Sequence, residues 1–127
     1  MAESKGYEDL KVYQLSYKLA MEIYEASRLF PKEEKYSLTD QIRRSSRSVP
    51  VNIACAYRRR KYPKHFSSKI TDANEECTET QVWLNLSFDC KYINQEVKNR
   101  LYKLYEEVGR MLTTMGDNPD KFKPRTS

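Results

Sequence analysis

The chain has 127 residues, 39% hydrophobic and 32% charged, with three Gly, five Pro and a formal net charge of +5. That length fits one domain with a real core, and so little glycine and proline in a charge-rich chain excludes a disordered tract and argues against a sandwich or barrel. No apolar run approaches the roughly 20 residues that span a bilayer, and Met1 to Gly6 is polar without an apolar signal region, so the expectation is a cytoplasmic protein with no membrane partner.

The first amphipathic pattern runs over about residues 9–30, with Val12, Ser16, Leu19, Ile23, Ala26 and Phe30 at steps of three and four, which places them on one helical face. Pro31 to Lys35 interrupts it. The second, about residues 37–59, opens on Ser37 three residues before Asp40, a capping pair, and aligns Leu38, Ile42, Ser45, Val49, Ile53 and Ala56. Pro50 lies inside this stripe. A proline there removes a backbone donor and crowds the preceding turn, yet the stripe keeps its phase across it, which predicts one helix bent at Pro50 rather than two helices.

Pro63, favoured in a first turn, opens the third pattern over about residues 63–91, with Phe66, Ile70, Ala73, Cys77, Thr80, Leu84 and Ser87 in line and Trp83 and Phe88 beside them. Ile93 and Asn94 form a staple and an N-cap for the fourth, about residues 94–115, where Val97, Leu101, Leu104, Val108, Met111 and Met115 align before Gly116 stops the helix. A short polar tail, 117–127, remains. Four helices of about 20 residues with short connections predict an all-α fold, an antiparallel up-down four-helix bundle forming a single domain.

Charge is concentrated in one place. Residues 40–65 carry Arg43, Arg44, Arg47, Arg58, Arg59, Arg60, Lys61 and Lys64 against the single acid Asp40, whereas each flank comes to −1. A one-sided excess attracts polyanions before specific contacts form, so nucleic acid is the first partner to consider, with Tyr57 and Tyr62 available for base stacking. The competing reading is a solvated face whose arginines pair with acids of neighbouring helices. A second set of aromatics sits off the core stripes: Tyr13, Tyr17, Tyr24, Trp83, Tyr102 and Tyr105. One bundle seam cannot bury them all, which assigns Tyr13, Tyr17, Tyr24 and Trp83 to an oligomer interface.

Catalytic and metal chemistry finds little support. The lone histidine, His65, lacks the Glu-x-x-His partner of a di-iron bundle, and Glu75, Glu76 and Glu79 are flanked by Lys69 and Lys91 as a solvated acidic face is. No nucleotide loop, nucleophile elbow or zinc spacing occurs, so no cofactor, metal or enzymatic activity is expected. Cys55, Cys77 and Cys90 are odd in number and read as reduced thiols. Cys55 has Arg58 and Arg59 within a turn, which favours reactivity, but a core or interface thiol is the expectation.

Two stretches carry a family resemblance: Tyr7-Glu8-Asp9-Leu10-Lys11-Val12-Tyr13-Gln14, and Leu38-Thr39-Asp40-Gln41-Ile42-Arg43-Arg44 running on through Ser48-Val49-Pro50-Val51-Asn52-Ile53-Ala54. With Glu79-Thr80-Gln81 and Gly109-Arg110-Met111-Leu112, they resemble the small bacterial four-helix-bundle proteins encoded in intervening sequences of 23S ribosomal RNA genes, over roughly residues 7–116. The resemblance implies a ring-like homopentamer. It also implies kinship with the accessory variability determinant of diversity-generating retroelements, which binds nucleic acid and a reverse transcriptase. Where that family usually has an acid and a glycine, this chain has Cys55 and Ala56, which leaves Arg59 without a carboxylate one turn away. The function expected is therefore that of a non-enzymatic, oligomeric binder of RNA or DNA, with a reverse transcriptase as a further partner. The alternative is a helical adaptor that docks an acidic protein.

Overall fold

The computed structural model describes residues 6–124; the polar opening, Met1 to Lys5, and the last three residues of the tail lie outside the described residues. Four helices follow one another: α1 (Lys11–Ser27), α2 (Leu38–Arg58), α3 (Pro63–Asp89) and α4 (Gln95–Asp117), packed as an all-α antiparallel four-helix bundle. Chain neighbours pack against each other, α1 also meets α4 along a thinner seam, and α1 and α3 stand diagonally. The second stripe, Leu38 to Ala56, and the third, Phe66 to Ser87, are buried at every aligned position. α2 passes through Pro50 without a break. The pyrrolidine deprives the Ser46 carbonyl of its helical donor. Nearby, Ser48 and Asn52 donate back to the carbonyls of Arg44 and Ser48, both at 2.9 Å, a pattern that goes with helix bending.

Several local expectations are corrected. The first helix is shorter than 9–30, because Gly6–Asp9 forms a separate 3-10 turn and beyond Ser27 the bonds tighten to the three-residue spacing, Leu29 N–H to the Ala26 carbonyl and Phe30 N–H to that of Ser27. Gly116 does not stop α4: it stays helical while its carbonyl accepts from the Ser67 hydroxyl at 2.9 Å, and Asn118 closes the helix by donating to the Thr114 carbonyl at 2.7 Å. Part of the tail is ordered too. Pro119–Phe122 forms a 3-10 turn that stacks Phe122 on the buried Phe66, with ring centroids 5.2 Å apart. Tyr105, expected off the core, is fully buried, while Leu104 and Met111, expected in the stripe, are only partly covered.

The capping pair at the head of α2 is also different. Asp40 plays no part in the observed cap; the Ser37 hydroxyl donates to the Glu34 carboxylate at 2.7 Å, and the same oxygen receives the Leu38 N–H at 3.4 Å. The other Glu34 oxygen accepts from the Tyr92 hydroxyl at 2.8 Å. Tyr92 is presented by the turn that ends α3, where Lys91 adopts φ 67°. Tyr92 N–H reaches the Ser87 carbonyl at 2.9 Å and Lys91 N–H the Phe88 carbonyl at 2.8 Å, a Schellman closure built on lysine instead of glycine. Glu34 thereby ties the α1–α2 connection to the α3–α4 connection.

The Ser37 hydroxyl first, then that of Tyr92, holds the Glu34 carboxyl below its usual range. A depressed folded-state value means that the contact stabilises the fold above the unfolded value of about 4.3 and fades as pH falls through the folded one. At the alkaline end, the bond to Glu34 and then burial push the Tyr92 phenol up to about 12, so its contribution is complete below about pH 10 and lost as pH rises towards 12. Glu34→Gln should lower the melting temperature at pH 7, and its difference from wild type should shrink by pH 3. Thermal melts across that interval check this, and a difference constant down to pH 3 would remove the carboxylate from the account.

Candidate nucleic-acid interface

On the side of the bundle where α1 meets α2, three adjoining grooves of about 550, 490 and 670 Å³ run along α2. The first and second share Arg47 and Val51, and the second and third share Tyr7, Ala54 and Cys55, so they form one trough. Its floor is the outward stripe of α2. Arg44, Arg47, Val51, Cys55 and Arg58 recur there at steps of three and four, opposite the buried stripe that the periodicity requires.

One end of the trough is lined by Lys35, Tyr36, Arg43 and Arg44, together with Asp40. Arg43 donates from Nε to the Ser27 hydroxyl at 2.7 Å, with its guanidinium 4.8 Å from the Tyr24 ring centroid; Arg47 reaches the same ring at 5.7 Å. The opposite end gathers Arg58, Arg59, His65 and Lys69. Here Gly6, at φ 76°, starts the turn that lays Tyr7 beside Arg58, 5.8 Å from ring to guanidinium. Between the ends the lining is apolar and aromatic: Tyr13, Tyr17, Ala20 and Met21 from α1, Pro50 and Val51 from α2.

The described ion pairs are Arg28–Glu25, Lys69–Asp72, Arg100–Glu22 and Lys123–Asp120. Of the trough's cations only Lys69 takes part, at 3.9 Å to a half-exposed Asp72. Arg44 senses the acids of α3 at longer range, where burial and then Glu79, Asp72 and Glu75 raise the Glu76 carboxyl and Arg44 lowers it. Contact with tyrosine rings limits the rotamers of the Arg43, Arg47 and Arg58 guanidinium groups.

Arg43, Arg44, Arg47, Arg58 and Arg59 thus share one surface. Five other residues assigned to it do not line the trough, among them Tyr57, whose ring is covered by Arg60. Arg60 folds back to donate to the Tyr57 carbonyl at 3.0 Å and lies over that ring at 4.0 Å, while Lys61, Tyr62 and Lys64 occupy the α2–α3 connection and the first turn of α3. Lys35, Tyr36, Tyr7, His65 and Lys69 join the surface although the charge count over residues 40–65 gave them no role. For His65 and Lys69 a signal existed, since they are four apart on one helix face. The four aromatics assigned to an interface also divide: Tyr13, Tyr17 and Tyr24 follow the α1 side, whereas Trp83 lies on α3 with its indole donating to Glu79 at 3.4 Å.

The thiols separate by burial. Cys77 is buried and burial pushes its thiol up to about 12, whereas Cys90 and Cys55 are exposed and Cys55 lines the trough instead of the core. Among the described residues, no three of His, Cys, Asp and Glu converge as metal ligands, and no helix is long and apolar enough to cross a membrane.

The model of the 23S rRNA-intervening sequence protein family matches residues 8–114. A crystal structure from Bacteroides thetaiotaomicron VPI-5482, of a protein of unknown function from the S23 ribosomal protein family, resembles this bundle with a TM-score of 0.74. The two chains are 25% identical, and the match covers 84% of this chain and 95% of the other. No curated protein matches the chain.

Proposed function

The chain belongs to the 23S rRNA-intervening sequence protein family, and from that premise we propose that it is a non-enzymatic, nucleic-acid-binding protein whose α1–α2 face tracks phosphates. One observation carries the reading: Lys35, Arg43, Arg44, Arg47, Arg58 and Arg59 line a continuous trough and enter none of the described ion pairs. Positive groups left without carboxylate partners over the length of a helix bind a polyanion by releasing its counterions. Scattered surface cations that serve only solubility have no reason to converge on one groove.

Self-association belongs to the same proposal. Val82 and Leu86 are exposed on the outward side of α3, and the half-buried Trp83 lies next to Val82 in sequence, diagonal to α1. That patch supports a homo-oligomer, a pentamer by family resemblance, which would multiply the trough around a ring and add avidity along a polymer. An accessory role beside a reverse transcriptase is the corresponding cellular reading.

Titration of mixed-sequence RNA and DNA against the full chain at 0.05 to 0.3 M salt tests the proposal. The logarithm of affinity should fall steeply and linearly with the logarithm of salt concentration. Affinity that stays flat over that range, or no binding at the lowest salt, would remove nucleic acid and leave the acidic-protein adaptor in its place.

A further inference from the structure

Nothing in the charge distribution alone distinguishes a duplex from a single strand, but the shape and lining of the trough do. From the 3-10 turn onward along α1 run tyrosine rings: Tyr7, in the turn, and Tyr13 with centroids 5.0 Å apart, Tyr13 and Tyr17 5.9 Å apart, and then Tyr24. Along α2, beside them, run the guanidinium groups of Arg43, Arg47 and Arg58. An aromatic row and a cationic row therefore lie side by side, with an apolar stretch at Met21 and Val51 in the middle of the charge.

A duplex turns its base faces inward and presents phosphates along its outer surface. An apolar, ring-lined centre serves no purpose against it, and burying phosphates there would cost desolvation. A single strand has both halves of the pattern, a phosphate line and exposed base faces that stack on aromatic side chains whatever their sequence. Resting on the phosphate-tracking reading above, we propose that the ligand class of this trough is single-stranded nucleic acid, its phosphates on the α2 row and its bases on the tyrosines of α1 and on Tyr36.

The rings have free faces to offer. Tyr17 is 53% exposed, and Tyr36, at the head of the trough, is 85% exposed with the Lys35 ammonium 5.3 Å from its ring centroid, whereas Tyr24 is covered by two guanidinium groups. Length fits as well. The 21 residues of α2 rise about 30 Å, the extent of a strand of several nucleotides and within the roughly 4 to 16 nucleotides that a single-strand-binding fold occupies.

The test compares a labelled mixed-sequence 12-nucleotide DNA strand with the same strand annealed to its complement, on the full chain at 0.1 M salt. The single strand should bind at least tenfold tighter, although the duplex has the higher charge density. Tyr17→Ala and Tyr36→Ala should each weaken single-strand binding about five- to a hundredfold, leaving duplex binding and the salt slope nearly unchanged. Both residues are exposed, so the variants should keep the wild-type circular dichroism. Quenching of tyrosine fluorescence by the strand and not by the duplex is the companion measurement.

Equal or tighter duplex binding, or tyrosine variants without effect while the salt slope persists, overturns the single-strand assignment and leaves phosphate tracking standing. Salt-insensitive binding, or none, overturns both. Capture of an acidic amphipathic helical peptide that the 12-nucleotide strand cannot displace would assign the trough to a protein and overturn the inference as well.

Discussion

Replacing Arg58 and Arg59 together by Gln should weaken the binding of a single-stranded 12-nucleotide DNA about 25-fold at 0.1 M salt. It should also take roughly 1.4 off the magnitude of the logarithmic salt slope, since each phosphate contact on a single strand contributes about 0.7 to that slope. Both figures come from the same counterion term. The loss should be similar for unrelated sequences, because phosphate contacts position a strand without reading it. The control removes the same charge elsewhere: Lys103 and Arg110, exposed on α4 and outside the trough, replaced by Gln. A long-range field effect would weaken binding in both double variants, whereas contact would weaken it only in the first. Equal losses would reduce the trough to one part of a diffuse basic surface.

Tyr105 should give the largest change in stability, and its two substitutions should act in opposite directions. The side chain is 0% exposed, and among the described residues its hydroxyl has no hydrogen-bond partner. Burial raises its phenol well above the ordinary value. Tyr105→Ala removes a ring from the closed centre of the bundle and should cost about 3 to 5 kcal/mol, a large part of the 5 to 15 kcal/mol of a typical domain. Tyr105→Phe keeps the ring and deletes the unpaired hydroxyl, whose desolvation is worth about 1 to 3 kcal/mol, so this variant should be more stable than wild type by about 1 kcal/mol or more. Urea unfolding measures both. A destabilised Tyr105→Phe would show that a buried water satisfies the hydroxyl in solution.

The same residue marks where the sequence stops being informative. Leu101, Leu104, Val108 and Met111 fit a helical period, and so do Leu101, Tyr105, Val108 and Leu112, since the two sets differ only in which flank of a common stripe they favour. Periodicity fixes that a helix has an apolar side but not where the neighbouring helix will press on it. In α2 and α3 no such rival existed, and every aligned position is buried. Asn94 was legible because its cap is local: its side chain accepts from Val97 N–H at 2.8 Å. Glu34 was not, because one of its partners, Tyr92, is 58 residues away and arrives only through the closure of α3. The candidate site divides likewise. The arginines of α2 announced themselves as a run of charge, whereas Tyr36, Tyr7, His65 and Lys69 reach them only once the α1–α2 and α2–α3 connections have folded.

The thin seam between α1 and α4 gives the bundle an uneven resistance to opening. α2 and α3 are each clasped by two neighbours, but α1 rests mainly on α2, and the ion pair between Glu22 and Arg100, 2.6 Å and half-exposed, spans its narrow contact with α4. Such partly solvated pairs hold weakly. Local fluctuation is easiest where buried contact is least, so amide exchange should proceed faster from α1 than from the middle of α3. α1 is also one bank of the trough, so the gap along α2 is bounded by the helix that is cheapest to displace; under the proposed function, strands of different base size would be accommodated by α1 without disturbing the arginines of α2.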